Sequence, residues 1–121
     1  MTNQTLRVAK KLTAKEILEQ NDLDTVDVEV PEWGGVITLR SLSAGEAMGF
    51  IDQFQKNPKE SALELLIASA VDAEGDPLFR KEDLEALKAK GLKAILRLQT
   101  AAMELNGLAD FAAARAEAKN A

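Results

Sequence analysis

The sequence predicts an α+β domain that is mainly α: a helical bundle carrying one N-terminal β-hairpin. Three observations carry that expectation. Ala and Leu together supply 37 of the 56 apolar residues, and these two residue types lose least free energy on entering a helix. Val and Ile are few, yet four of the six valines lie between Val26 and Val36, which gathers the β-formers in one place. A length of 121 residues suits one hydrophobic core and is short for two.

Residues 1–11 hold Arg7, Lys10 and Lys11 and little apolar content, and read as a mobile arm. Thr13-Ala-Lys-Glu16 fits a capping box, with Leu12 and Ile17 placed for a hydrophobic staple, and opens a short helix over about 14–20. Polar Gln20-Asn21-Asp22 ends it. Val26, Val28 and Val30 then alternate with Asp27 and Glu29, the period of a half-buried strand. With Val36-Ile37-Thr38-Leu39-Arg40 beyond Gly34-Gly35, residues 25–40 read as a hairpin.

Ser43-Ala-Gly-Glu46 repeats the capping-box pattern and starts a helix to about Lys56, striped by Ala44, Ala47, Met48, Ile51 and Phe54. Asn57-Pro58 marks the next start, with Asn57 as N-cap and Pro58 at the first helical position. That helix, to about Asp72, has a narrow polar face and is expected to be deeply buried. Gly75-Asp76-Pro77 makes a turn, and a further helix runs from about Lys81 to near Gly91. Between Leu92 and Leu105, the polar residues Lys93, Arg97, Thr100 and Glu104 define one thin stripe, which predicts the central helix of the bundle, dry on about three sides. Asn106-Gly107 ends it. Residues 12–107 are thus expected to form a single domain. Residues 108–121 are Ala-rich and predict a marginal helix or tail, in which Leu108 and Phe111 are the large apolar residues.

Several function classes fall away on composition. The chain has no Cys and no His, so disulfides, thiol chemistry and Ser-His or Cys-His nucleophilic machinery are excluded, and zinc sites with them. Neither catalysis nor a cofactor is expected. Fifteen basic residues against 20 acidic ones leave a net charge of −5, which disfavours nucleic acid as a partner. No apolar run approaches the ~18–20 residues that span a bilayer. Met1-Thr2-Asn3-Gln4 lacks the order of a secretory signal, so a cytoplasmic protein without membrane attachment is expected.

Three constellations are worth weighing. Asp72-Ala-Glu-Gly-Asp76 resembles part of a calcium loop, but Gly75 falls fourth where a glycine is wanted sixth, and Asp83 falls twelfth where a glutamate is wanted; an ordinary connection is the better reading. Lys88, Lys90, Lys93 and Arg97 gather positive charge, as a solvated face or a contact for an acidic partner. Trp33 sits at the hairpin tip, where its ring either plugs one end of the core or anchors a partner. Phe50 and Phe79 are expected in the core. Trp33, Leu108 and Phe111 are the candidate partner-binding residues.

Five segments, in order from residue 12 onward, point to a family. They are Leu12-Thr-Ala-Lys-Glu-Ile-Leu18, Val28-Glu-Val-Pro-Glu-Trp-Gly-Gly35, Leu42-Ser-Ala44, Val71-Asp-Ala-Glu-Gly-Asp-Pro-Leu-Phe79 with Asp83 and Leu87, and Leu105-Asn-Gly-Leu108. Together they resemble the tail assembly chaperones of long-tailed bacteriophages, most specifically in the Pro-acid-Trp-Gly-Gly hairpin and the Asp-x-x-Gly-x-Pro-Leu-Phe turn. Gly45 and Gly49, and Arg80-Lys81 after the Leu-Phe pair, depart from the family pattern.

The resemblance implies a non-enzymatic assembly factor that binds the tape-measure protein, keeps it soluble and helps recruit tail-tube subunits. It would act in the cytoplasm of the bacterial host and be missing from the mature virion. It also implies a possible longer form of the same protein, made by a one-nucleotide backward ribosomal slip near the end of the short frame. A GCA-AAA-AAC spelling of Ala118-Lys119-Asn120 would contain the slippery heptamer A-AAA-AAC. Two rival classes stand beside this reading: a structural tail or connector component, and an acidic regulator that blocks a DNA-binding partner.

Overall fold

A computed structural model describes residues 10–108. Strands β1 (Thr25–Val30) and β2 (Gly35–Arg40) form the expected antiparallel hairpin. Pro31–Trp33 makes one 3-10 turn at its tip, and Gly34 closes that turn at φ 73°, a left-handed conformation that glycine adopts without a Cβ penalty. The register pairs Val26 with Leu39, Val28 with Ile37 and Val30 with Gly35, so the side chains of Val26, Val28, Val30, Ile37 and Leu39 share one face. Val30 and Leu39 on it are fully buried. On the opposite face, Thr38 Oγ1 donates to Asp27 Oδ1 at 2.6 Å.

A third strand, β3 (Ala70–Val71), extends the sheet in the order β1-β2-β3. The helical pattern predicted these two residues as the end of the preceding helix, to about Asp72. That helix instead stops at Ser69, and Ala70 turns extended at φ −75°, ψ 130°. Ala70 and Val71 pair with Leu39 and Thr38 of β2, which satisfies backbone groups on the second edge of that strand. The loop after β3 is held by Asp72, whose Oδ1 accepts from the N–H groups of Glu74 and Asp76, both at 2.9 Å. This carboxylate therefore serves the turn, as the ordinary-connection reading of the segment requires.

Both capping boxes form. Thr13 and Glu16 start α1 (Ala14–Leu18), which ends two residues short of the expected limit, and Ser43 and Glu46 start α2 (Ala44–Lys56). Pro58 takes the first position of α3 (Pro58–Ser69). Asn57 is its N-cap by position, but its side chain does not cap; the Asn57 Nδ2 donates to Glu60 Oε1 at 3.3 Å. The segment expected as one helix from Lys81 is a 3-10 turn, Lys81–Asp83, followed by α4 (Leu84–Lys88). The last helix is α5 (Leu92–Leu105).

The central helix is α3 rather than α5. It packs against α2, α4, α5 and β2 and buries Ser61, Leu63, Leu65, Leu66 and Ser69. From α5 the core takes Ala94, Ile95, Leu98 and Ala102; β2 and the segment after it add Leu39 and Leu42, and α4 adds Leu87. Phe50 and Phe79 are partly buried against this cluster. Leu108 also joins it, at 5% exposure, so the core reaches one residue past the expected domain end.

Candidate interaction surface

The described residues leave a large share of apolar side chains outside this core. Leu12, Ile17, Leu18 and Leu23 are exposed around α1, a helix that buries no residue. Met48 and Phe54 are exposed on α2, where Phe54 tilts against Phe50 with ring centroids 6.1 Å apart. Trp33, Leu92 and Leu96 are exposed at the hairpin tip and on the first turns of α5. Single exposed apolar residues are ordinary, but clusters on a small domain mark surfaces that meet something else.

The last cluster has the best-defined geometry. Arg97 Nη2 donates to Glu32 Oε2 at 2.8 Å, which ties the hairpin tip to α5. The ion pair lies one residue from Trp33 on the tip and one residue from Leu96 on the helix. The Arg97 guanidinium holds the Glu32 carboxyl below the usual range, with the Glu32 backbone N–H and the charge of Lys93 adding to the effect. Leu92, at 69% exposure, and Leu96, at 47%, stand one turn apart. Half-buried Gln99 and Met103 continue the same line, at helical spacings of four, three and four.

Among the sequence-predicted residues, Trp33 is 36% exposed and lies outside the core cluster. Leu108 is corrected: it is a buried core residue, reached through the left-handed turn at Gly107, φ 69°. Phe111 lies outside the described residues. Lys93, Arg97, Thr100 and Glu104 are solvent-facing as expected, yet Leu92 and Leu96 are exposed with them, so α5 is wet on more than one thin stripe. The signal that could have found this second face was the Leu92-Leu96-Gln99-Met103 line itself, which lies well off the Ala94-Leu98-Ala102 line.

The basic residues divide in two. Lys88 Nζ bridges Glu60 at 2.7 Å and Glu85 at 3.0 Å, which raises its pKa and staples α4 to α3. Arg97 is held by Glu32. Lys90 and Lys93 form no ion pair among the described residues. No helix among the described residues is long and apolar enough to cross a membrane.

Fold and surface together define a small, mainly helical domain with a β-hairpin and several exposed apolar side chains. The same fold occurs in the solved structure of the bacteriophage HK97 tail assembly chaperone, with a TM-score of 0.56 and 23% identity over 86% of this chain and 92% of that one. No protein-family model matches the sequence, and no curated protein does.

Proposed function

We propose that the chain is a tail assembly chaperone of a long-tailed phage, a non-enzymatic factor that binds the tape-measure protein and helps recruit tail-tube subunits. The observation that carries this reading is the fold shared with the HK97 chaperone across most of both chains. It is supported by the ordered sequence segments between Leu12 and Leu108, and by apolar clusters suited to holding another chain's apolar segments in solution. On this reading the protein works in the host cytoplasm and leaves before the tail is finished.

The test is co-expression with the tape-measure protein of the same genome. A soluble complex that persists at high salt is expected where apolar contacts dominate. A tape-measure protein that precipitates as it does alone overturns the reading. Mass spectrometry of finished particles separates the chaperone from a structural tail component, since a chaperone is missing from them. The longer form belongs to the same proposal and is read from the nucleotides around codons 107–121: neither a slippery heptamer nor an overlapping frame there removes it.

A further inference from the structure

We propose that the hairpin tip and the first half of α5 form one docking face, built from Trp33, Leu92 and Leu96 and rimmed by Lys90 and Lys93. Its occupant is an amphipathic helix of another protein whose apolar stripe is flanked by Asp and Glu. This names the partner chemistry of the chaperone reading and rests on that reading.

Three observations converge on this face. The Glu32–Arg97 ion pair links the hairpin tip to α5, and β1 packs on the same helix, so the exposed apolar residues of both elements are carried by one packed unit. Leu92 and Leu96 follow helical spacing one turn apart, which matches the spacing of an apolar stripe on a partner helix. The charge is equally particular. Residues 86–103 hold four basic and no acidic residues in a chain of net charge −5. Lys88 and Arg97 already have carboxylate partners. Lys90 and Lys93, which flank Leu92 in sequence, form no ion pair among the described residues, although the charge of Lys93 also acts on Glu32.

Apolar burial would drive the association, and the two lysines would select its sign of charge. An acidic flank can pair with both lysines, whereas a basic flank meets repulsion that the Glu32 charge beside Lys93 offsets only in part. A second copy seated on this face by two-fold symmetry would bring a second set of the same basic residues to it, which favours a different, acidic chain as the occupant.

The protein carries its own reporter, since Trp33 is its one Trp and there is no Tyr. The probes are two Trp-free synthetic amphipathic peptides with the same Leu stripe, one flanked by Glu and the other by Lys. The Glu-flanked peptide is expected to shift Trp33 emission to the blue with saturation, and to bind about tenfold more tightly than its Lys-flanked twin. Leu96→Glu should abolish the shift, while Leu18→Glu, at an exposed position on α1, should leave it intact; circular dichroism verifies that both variants are folded.

Equal binding of the two peptides, or full binding by Leu96→Glu, overturns the proposal. So does a blue shift that follows protein concentration with a rise in mass, which assigns the face to a second copy, or a preference for phosphatidylglycerol vesicles over the Glu-flanked peptide. Co-expression separates the two levels. A tape-measure protein kept soluble equally by wild type and Leu96→Glu overturns this face alone. Precipitation with wild type itself overturns the chaperone reading.

Discussion

Asn106, at the end of α5, accepts the backbone N–H of Leu42 on its Oδ1 at 2.6 Å. The same side chain donates from Nδ2 to the carbonyl of Ala102 at 2.8 Å. One amide thus closes the last helix and fastens it to the β2–α2 connection, 64 residues away in sequence. Leu42 is itself buried, and its partly buried N–H loses its acceptor once this partner is gone.

Asn106→Ala should therefore destabilise the domain by about 1–3 kcal/mol, the cost of an orphaned, partly buried donor together with a lost hydrogen bond. Asn106→Asp keeps the acceptor for Leu42 and loses only the donor to Ala102, so its effect should be smaller. Urea denaturation of the three proteins checks the order, and an alanine variant as stable as wild type would show that Leu42 finds another partner.

Acid stability should depend on Glu46. Its carboxylate takes two guanidinium bonds from Arg40, at 3.0 and 2.8 Å, and a third from the backbone N–H of Ser43 at 3.0 Å. Arg40 first, and the Ser43 amide second, lower its pKa from 4.5 to about 2. A carboxyl depressed in the folded state stabilises that state fully above its unfolded value and loses this contribution as pH falls through the folded one. Glu46→Gln is thus expected to flatten the decline in stability between pH 4.5 and about 2, with a remaining slope from Glu16 and Glu32, whose pKa values are also lowered. Chemical denaturation at stepped pH measures it.

The two faces of α5 should respond differently to truncation. Leu98 is fully buried, and Leu98→Ala should cost about 2–5 kcal/mol through lost burial and the cavity left behind. Leu92→Ala, on the exposed face, should stay within about 0.5 kcal/mol. Similar losses at both positions would mean that Leu92 is packed in solution.

Trp33→Ala should cost well under the ~3–5 kcal/mol of a buried Trp, because the ring is partly exposed and outside the core. Thermal unfolding settles it: a loss of full core size would place the ring inside the protein.

Much of this architecture was legible from local chemistry. Thr13 with Glu16, and Ser43 with Glu46, satisfy backbone groups within a single turn, so their capping boxes could be read from spacing alone. The Val26-Val28-Val30 alternation and the glycines after Trp33 specified the hairpin for the same reason, and Pro58 marked a helix start through its own ring. Tertiary structure decided what depends on distant partners. Ala70 and Val71 continue the helical pattern of α3, and it was the open edge of β2 that drew them into the sheet. The α5 sequence offers two apolar lines, but only the placement of α3 and the hairpin determined that Ala94, Leu98 and Ala102 would be buried while Leu92 and Leu96 remained in solvent. Leu108 moved from the expected surface into the core on the same ground. Periodicity reports that a residue is apolar and which way it points along its own helix or strand, whereas burial depends on what the rest of the chain brings opposite to it.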